Sequence, residues 1–244
     1  MTFETFRAAS AGKQHIVGQW RIGAEGRSGE LRGLAKRAVL SVEGFEISRS
    51  NINADVRLSD SARKEDIRTA AEGRLREIGQ AVQSLQMKRA EIQADASRLT
   101  AIKPYNGDAA QVAIDLALAQ HLRGMDAAER TAALFAGTDP DLVAAVLRLP
   151  TALTGVKEDI RARVLKDAIS RRYPREAQEH EDLAIGLADA AEALNRAFDL
   201  ISREAGIGLT ERALAAGSRE AAHDLISGVS PVAVDHIMNR IQSN

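Results

Sequence analysis

The chain has 244 residues, of which 45% are hydrophobic and 27% are charged, with a net charge of −1 and no cysteine. This composition is typical of a globular protein, and the charge gives no general attraction to nucleic acid or to an anionic membrane. The absence of cysteine excludes disulfide bonds, thiolate metal sites and cysteine nucleophiles. No apolar run is long enough to span a bilayer and residues 1–10 lack the apolar region of a signal peptide, so we expect that the protein is not secreted.

Residues 1–58 form the least regular part of the sequence, because six glycines between positions 12 and 33 interrupt any long period. Two interpretations stay open for the second half of this region. One is a helix over residues 29–41, capped by Ser28 and ended by Gly44. The other is a short β-hairpin over residues 39–47 that turns at Gly44. We expect mixed structure in this region.

Residues 59–103 are predicted to form one long helix, because apolar residues recur at the alternating three- and four-residue spacing of a coiled-coil seam. Ser59 offers an N-cap, and Pro104 ends the helix because the residue before a proline disfavours helical backbone. Gly73 and Gly79 are weak points, since each costs about 1 kcal/mol relative to Ala.

The apolar stripe of this helix is the predicted interaction surface. We call it the 75–99 seam, and it consists of Leu75, Ile78, Val82, Leu85, Ile92 and Leu99, with Arg89 in its one polar place. Monomers rarely expose a stripe of this length, so either another subunit or a second seam at residues 183–201 must cover it. An acidic residue is expected near Arg89, because an unpaired charge in a seam is costly.

A run of shorter helices is predicted after the long one. Capping and proline signals place them at residues 108–123, 126–136, 140–149 and 156–172, with Thr154 as the cap of the last. A second long helix begins at Pro174 and ends before Gly206. Three short helices follow at residues 210–216, 218–226 and 231–241.

Residues 218–241 also have the outline of a helix-turn-helix, which makes a DNA-binding or regulatory protein the alternative function. The second helix of this pair carries Arg240 as its one strong base, whereas a DNA-reading helix needs several donors. A small helical docking module is therefore the favoured interpretation.

Candidate catalytic and metal-binding residues are isolated in the sequence. His180 follows Glu176 on one helix face, but the residues at 177 and 184 are alanines, so the spacing of common zinc motifs is missing. Arg171 and Arg172 suit either a phosphate or the negative end of a helix dipole. We expect no catalytic residue, no metal and no cofactor.

One segment resembles known proteins. The residues Asp139-Pro140-Asp141-Leu142, the stretch from Val146 to Pro150, and Leu153-Thr154-Gly155 look like a segment of uncharacterised helical virion and assembly proteins of tailed phages and prophages. The resemblance covers under a tenth of the chain and brings no functional residue. It implies a virion or assembly protein. Together with the lack of a signal peptide or membrane span, it leads us to expect a cytoplasmic or virion-associated protein whose partners are copies of itself or other virion subunits.

These observations predict a mainly α, elongated helical bundle with one long coiled-coil-like helix, a small mixed N-terminal region and a run of short C-terminal helices. The predicted division follows the chain order: residues 1–58, 59–103, 104–206 and 207–244. The predicted function is that of a non-enzymatic structural or assembly protein of a tailed-phage-like particle, without nucleic acid, membrane or small-molecule substrate as partner.

Overall fold

The structure, a computed structural model, describes residues 4–10, 12–23, 25–99, 105–226 and 230–242. These residues form one antiparallel sheet of two strands, β1 (Glu4–Ser10) and β2 (Lys13–Trp20). They also form eleven helices: α1 (Gly26–Ala54), α2 (Asp60–Leu99), α3 (Ala109–Gly124), α4 (Ala127–Ala136), α5 (Pro140–Arg148), α6 (Thr151–Thr154), α7 (Glu158–Arg172), α8 (Pro174–Ala205), α9 (Leu209–Ala216), α10 (Arg219–Leu225) and α11 (Pro231–Gln242). The predicted mainly α class, with a small mixed N-terminal region and short C-terminal helices, is confirmed.

The N-terminal region contains both a hairpin and a helix. The predicted helix over residues 29–41 is present within α1, but α1 begins earlier, at Gly26, is not capped by Ser28 and continues through Gly44 to Ala54. The hairpin spans residues 4–20, so the alternative of a hairpin at residues 39–47 is wrong. The reason is the apolar face of α1, whose buried residues recur every three or four positions and continue past residue 41. Those residues are Leu31, Leu34, Ala35, Ala38, Val42 and Phe45.

The predicted long helix is present as α2, which has 40 residues. Its N-terminus is capped as expected, since the Oγ of Ser59 accepts a hydrogen bond from the N–H of Ala62 at 3.3 Å. The helix passes through Gly73 and Gly79 without a break. Its predicted C-terminal end, at residues 100–104, lies outside the described residues.

The chain divides into two compact units, of which the first contains residues 1–92 and 181–244 and the second residues 93–180. The boundaries therefore fall inside α2 and inside α8. This division differs from the one predicted in chain order, because α2 and α8 each contribute residues to both units.

The first unit has one hydrophobic core that is shared by the hairpin, α1, α2, α8 and α9–α11. Small residues allow close contacts within it. A Cβ added at Gly18 of β2 would lie 2.8 Å from the Cβ of Ala193 on α8. A Cβ added at Gly79 of α2 would lie 2.6 Å from the carbonyl oxygen of Ala215 on α9. The scarcity of aromatic residues thus matches a core built by close approach of backbones.

The second unit has a smaller core, formed mainly by α3, α4, α5 and α7. Its helices begin at the predicted caps. Asp108 accepts from the N–H of Gln111, and Asp126 forms a capping box with Glu129. The next helix, α5, begins at Pro140 as predicted, and Asp139, which was not predicted as a cap, accepts from two backbone N–H groups at its start.

Thr154 does not cap the following helix as predicted. It is the last residue of the single-turn α6, its Oγ1 accepts from the N–H of Val156, and α7 begins four residues later at Glu158. The reason is that Gly155 adopts a left-handed conformation, with φ of 65°, which ends α6.

Arginine side chains bind the last carbonyl groups of three helices in this second unit. Arg130 donates from Nε to the carbonyl of Leu122 at the end of α3. Arg161 and Arg171 donate to the last turns of α5 and α4, at 2.6 and 2.7 Å. Carbonyls at a helix end lack intrahelical donors, so these arginines supply hydrogen bonds there, although the carbonyl of Leu122 also accepts from the N–H of Met125 at 3.2 Å. Arg171 lies in the last turn of its own helix, as one of its two predicted roles requires, but its hydrogen bond goes to the end of a different helix, α4.

Candidate protein-contact site

The residues of the 75–99 seam lie in the core of the first unit, apart from its C-terminal end. Leu75, Ile78, Val82, Leu85 and Ile92 are each at most 7% exposed, and they share one hydrophobic cluster with residues of α8. Of the two open interpretations, the chain therefore has the one in which its own residues cover the seam. Within the single chain these side chains are already buried. Leu99 is half-buried.

Arg89 lies at the margin of this core, with 43% of its side chain exposed. The expected acidic neighbour is present, since Nη1 of Arg89 lies 4.0 Å from the Oδ2 of Asp224 on α10. The same carboxylate accepts a hydrogen bond from Gln86 at 3.0 Å. Arg89 therefore contacts the C-terminal helices across the surface and is not a buried charge.

The isolated histidines of the sequence do not assemble into a metal site. No group of three or more His, Asp or Glu side chains suited to a metal ion occurs within the described ranges. His223 contacts the Oδ1 of Asp235 at 3.0 Å, which joins α10 to α11. His180 lies on α8, where no such cluster surrounds it.

The helices α9, α10 and α11 pack on one another as a small module, in agreement with the predicted C-terminal region. Polar contacts hold α11 in place: Arg219 of α10 lies 3.4 Å from Asp235 and also donates to the Oδ1 of Asn239. Two polar residues of the would-be recognition helix are thus engaged within the module. The side chain of Arg240 lies outside what the structure describes.

A buried carboxylate in the second unit is the most fully hydrogen-bonded acid of the described chain. Asp115 on α3 is 0% exposed and accepts hydrogen bonds from the Oη of Tyr105 (2.8 Å), Nε2 of Gln111 (2.9 Å) and Arg148 (2.6 and 2.8 Å). Burial alone would raise the pKa of Asp115, but these hydrogen bonds outweigh it and lower the pKa below its ordinary value. Both oxygens are occupied, so this group ties α5 to α3.

An open groove lies along β2 in the first unit, and we call it the β2 groove. It has a volume of about 490 Å³ and is lined by His15, Ile16, Val17, Arg196, Asp199, Leu200, Arg203 and Arg212. One wall is the strand, and the other is formed by the C-terminal half of α8 together with α9. The lining contains three arginines and one aspartate, so the surface of the groove is basic although the net charge of the chain is −1.

A β-bulge shapes the strand wall of the groove. Phe6 pairs with Gly18 and Arg7 pairs with Ile16, so Val17 is an extra residue in β2. The extra residue shifts the alternation of β2 by one position for the residues before Val17. His15 therefore lies on the same face of the sheet as the buried Ala8, and Ile16 lies on the other face, where it is 50% exposed. The bulge therefore presents an apolar side chain to solvent beside the arginines.

The three arginines of the groove differ in how strongly they are held. Arg212 pairs with Asp199, and its guanidinium carbon lies 5.5 Å from the ring centre of Phe198. Arg196 pairs with Glu192 one helical turn earlier. Arg203 is exposed and makes no ion pair or hydrogen bond with any other described residue. The groove thus combines two positioned guanidinium groups with one that is free to bind an anion.

Sequence reasoning missed this site because it did not predict β2. Arg196 and Arg203 are seven residues apart in a predicted helix, which places both on one face. That spacing was the sequence signal for the part of the groove formed by α8. The opposite wall, strand β2, was not predicted, since the glycines of residues 12–33 were interpreted as irregular structure.

Comparison with known proteins gives no assignment: no family model, no curated protein and no solved structure matches the chain. Within the described ranges, no helix has the length and apolar character needed to cross a membrane. Function must therefore be inferred from the β2 groove and from the sequence resemblance of residues 139–155.

Proposed function

We propose that the protein acts by protein contact, as a non-enzymatic structural or assembly component of a tailed-phage-like particle. The observation that supports contact is the β2 groove, which is open, basic and bordered by the exposed Ile16. A surface that combines arginines with an exposed apolar residue is typical of interfaces between proteins, where arginine is enriched. The 75–99 seam supports the fold instead, so the groove replaces it as the contact surface.

The particle assignment is supported by the resemblance of residues 139–155. In the structure this segment forms α5, α6 and the turn between them. Its apolar residues Leu142 and Val146 are buried in the core of the second unit, and Asp139 caps α5. The resembling residues therefore have structural roles, and the partner-binding residues must be sought in the groove.

Co-purification with particles tests the proposal. Intact particles from the strain that encodes the chain would be banded on a density gradient, and the chain quantified in the particle fraction by mass spectrometry. We expect a fixed ratio of this chain to the major particle protein that persists through repeated banding. Absence of the chain from banded particles, with the protein abundant in the soluble lysate, would refute the particle role.

A further inference from the structure

We propose that the segment bound in the β2 groove is an extended acidic stretch of a partner protein, which adds as a third strand to the free edge of β2. Its carboxylates would pair with Arg203, Arg196 and Arg212. This inference rests on the proposed function, because it names the kind of segment that the contact surface takes.

The groove lies along β2, which has one edge without a neighbouring strand among the described residues. His15, Ile16 and Val17 all line the groove, because the bulge at Val17 breaks the alternation of side chains along the strand. The opposite edge of β2 is occupied by β1. Among the described residues, no backbone-to-backbone hydrogen bond joins β2 to any element other than β1.

An edge strand with unpaired backbone groups is a template for another strand, and many peptide-binding domains use it in this way. The hydrogen bonds of such a complex involve main-chain groups and give affinity with little sequence dependence. Side chains on alternate positions of the added strand then enter the flanking groove and give specificity. Here the flanking wall is α8, which carries the arginines.

Charge complementarity identifies the occupant as acidic. Arg203 has no anionic partner among the described residues, while Arg212 is already oriented by Asp199 and Phe198. Arg196 and Arg203 are two helical turns apart, or about 10 Å along α8. Residues on one face of a strand are about 7 Å apart, so acids at alternate positions of a bound strand come within reach of both arginines. The intervening side chains would face Ile16, which favours β-branched apolar residues there.

Peptide binding to the full chain tests this inference. The probe is a fluorescein-labelled decapeptide of alternating Glu and Val, followed by fluorescence anisotropy at physiological ionic strength. We expect saturable binding that Arg203→Glu weakens by about tenfold or more, because like charges would then meet in the groove. The matched control is Arg37→Glu, which makes the same charge change on α1, outside the groove. It should leave the affinity unchanged.

Two further probes separate strand addition from simple charge attraction. The same decapeptide with N-methylated valines keeps its charge but loses the N–H groups of one edge, and we expect it to bind at least about tenfold more weakly. Bound peptide should also slow hydrogen exchange at the amides of β2. Equal binding of the N-methylated peptide would overturn strand addition.

Other outcomes also contradict the inference. An absence of binding by the Glu-Val peptide overturns it, as does equal weakening by Arg37→Glu. Tighter binding of a single-stranded oligonucleotide of the same charge would assign the groove to nucleic acid. These failures are distinct from failure of the proposed function, because the presence of the chain in banded particles is measured without any peptide.

Discussion

Two glycines of the same helix should respond to alanine substitution with opposite signs. Gly73 and Gly79 both lie inside α2, six residues apart, and from helix propensity alone both substitutions would stabilise the protein. The structure separates them. A Cβ at Gly73 would have no heavy atom within 4 Å outside its own helix, whereas a Cβ at Gly79 would lie 2.6 Å from the carbonyl oxygen of Ala215.

The magnitudes follow from these distances. Gly73→Ala should stabilise the protein by about 1 kcal/mol, since the residue is exposed and alanine loses less backbone entropy on folding. Gly79→Ala has the same gain but also forces α2 away from the end of α9, where a second carbonyl, that of Ala216, lies 2.9 Å from the added Cβ. Overpacking of a core costs about 1 to 3 kcal/mol, and the upper part of this range, about 2 to 3 kcal/mol, applies because the added Cβ meets backbone atoms. Subtracting the gain of about 1 kcal/mol leaves a net loss of about 1 to 2 kcal/mol.

Urea denaturation followed by circular dichroism measures both effects in one experiment. We expect the midpoint of Gly73→Ala to rise and that of Gly79→Ala to fall, with unchanged slopes because both variants keep the same fold. If both variants are stabilised by similar amounts, α2 does not approach α9 at Gly79, and the packing described for the first unit is wrong.

Three further predictions test other parts of the molecule. Leu85→Asp should lower the free energy of unfolding by a few kcal/mol without changing the molecular mass seen in sedimentation, because the residue is buried within one chain. A lower mass at unchanged stability would instead favour the interpretation in which the 75–99 seam is an interface between subunits. Because folding lowers the pKa of Asp115 below its ordinary value of 3.8, the ionised carboxylate should stabilise the folded protein at pH values above 3.8. This stabilisation should be lost as the pH falls below 3.8 and through the lowered pKa. Asp115→Asn, measured by denaturation at several pH values, should remove this pH dependence and lower the free energy of unfolding at neutral pH by about 3 to 5 kcal/mol, since Arg148 then has no carboxylate partner. A variant as stable as the parent would contradict the assigned ion pair. DNA binding should be weak, unselective and steeply salt-dependent, whereas a tight sequence-selective complex abolished by Arg240→Ala would favour the regulatory alternative.

The helical part of the fold could be predicted because its signals are local. Asp126 with Glu129, Pro140 and Pro174 mark helix starts through hydrogen bonds and backbone angles that depend only on nearby residues. The periodic apolar residues of α2 likewise predicted one long helix. Such signals establish where a helix lies but not which element covers its apolar face.

The parts that could not be predicted depend on contacts between residues far apart in the chain. Gly79 was interpreted as a weak point of α2 because the contact that requires a glycine there is with α9, more than a hundred residues later, and local sequence does not show it. The hairpin was missed because β2 is stabilised by β1, α1 and α8, and because the bulge at Val17 breaks the alternation of a strand.

The candidate site was the least predictable feature. The 75–99 seam was correctly recognised as apolar, but periodicity alone does not distinguish a core from an interface. The β2 groove requires the strand, α8 and α9 to come together, and only the pair Arg196 and Arg203 shared a helix face visible in the sequence.

If the chain joins a particle through the β2 groove, as we propose, its occupancy in purified particles should depend on the arginines of that groove. Particles would be prepared from strains that produce the parent chain, Arg203→Glu or Arg37→Glu, with each chain quantified against the major particle protein. We predict normal occupancy for the parent and for Arg37→Glu, and strongly reduced occupancy for Arg203→Glu at equal soluble abundance. Equal occupancy of all three chains would contradict the role of the groove, and absence of the parent chain from particles would contradict the proposed function.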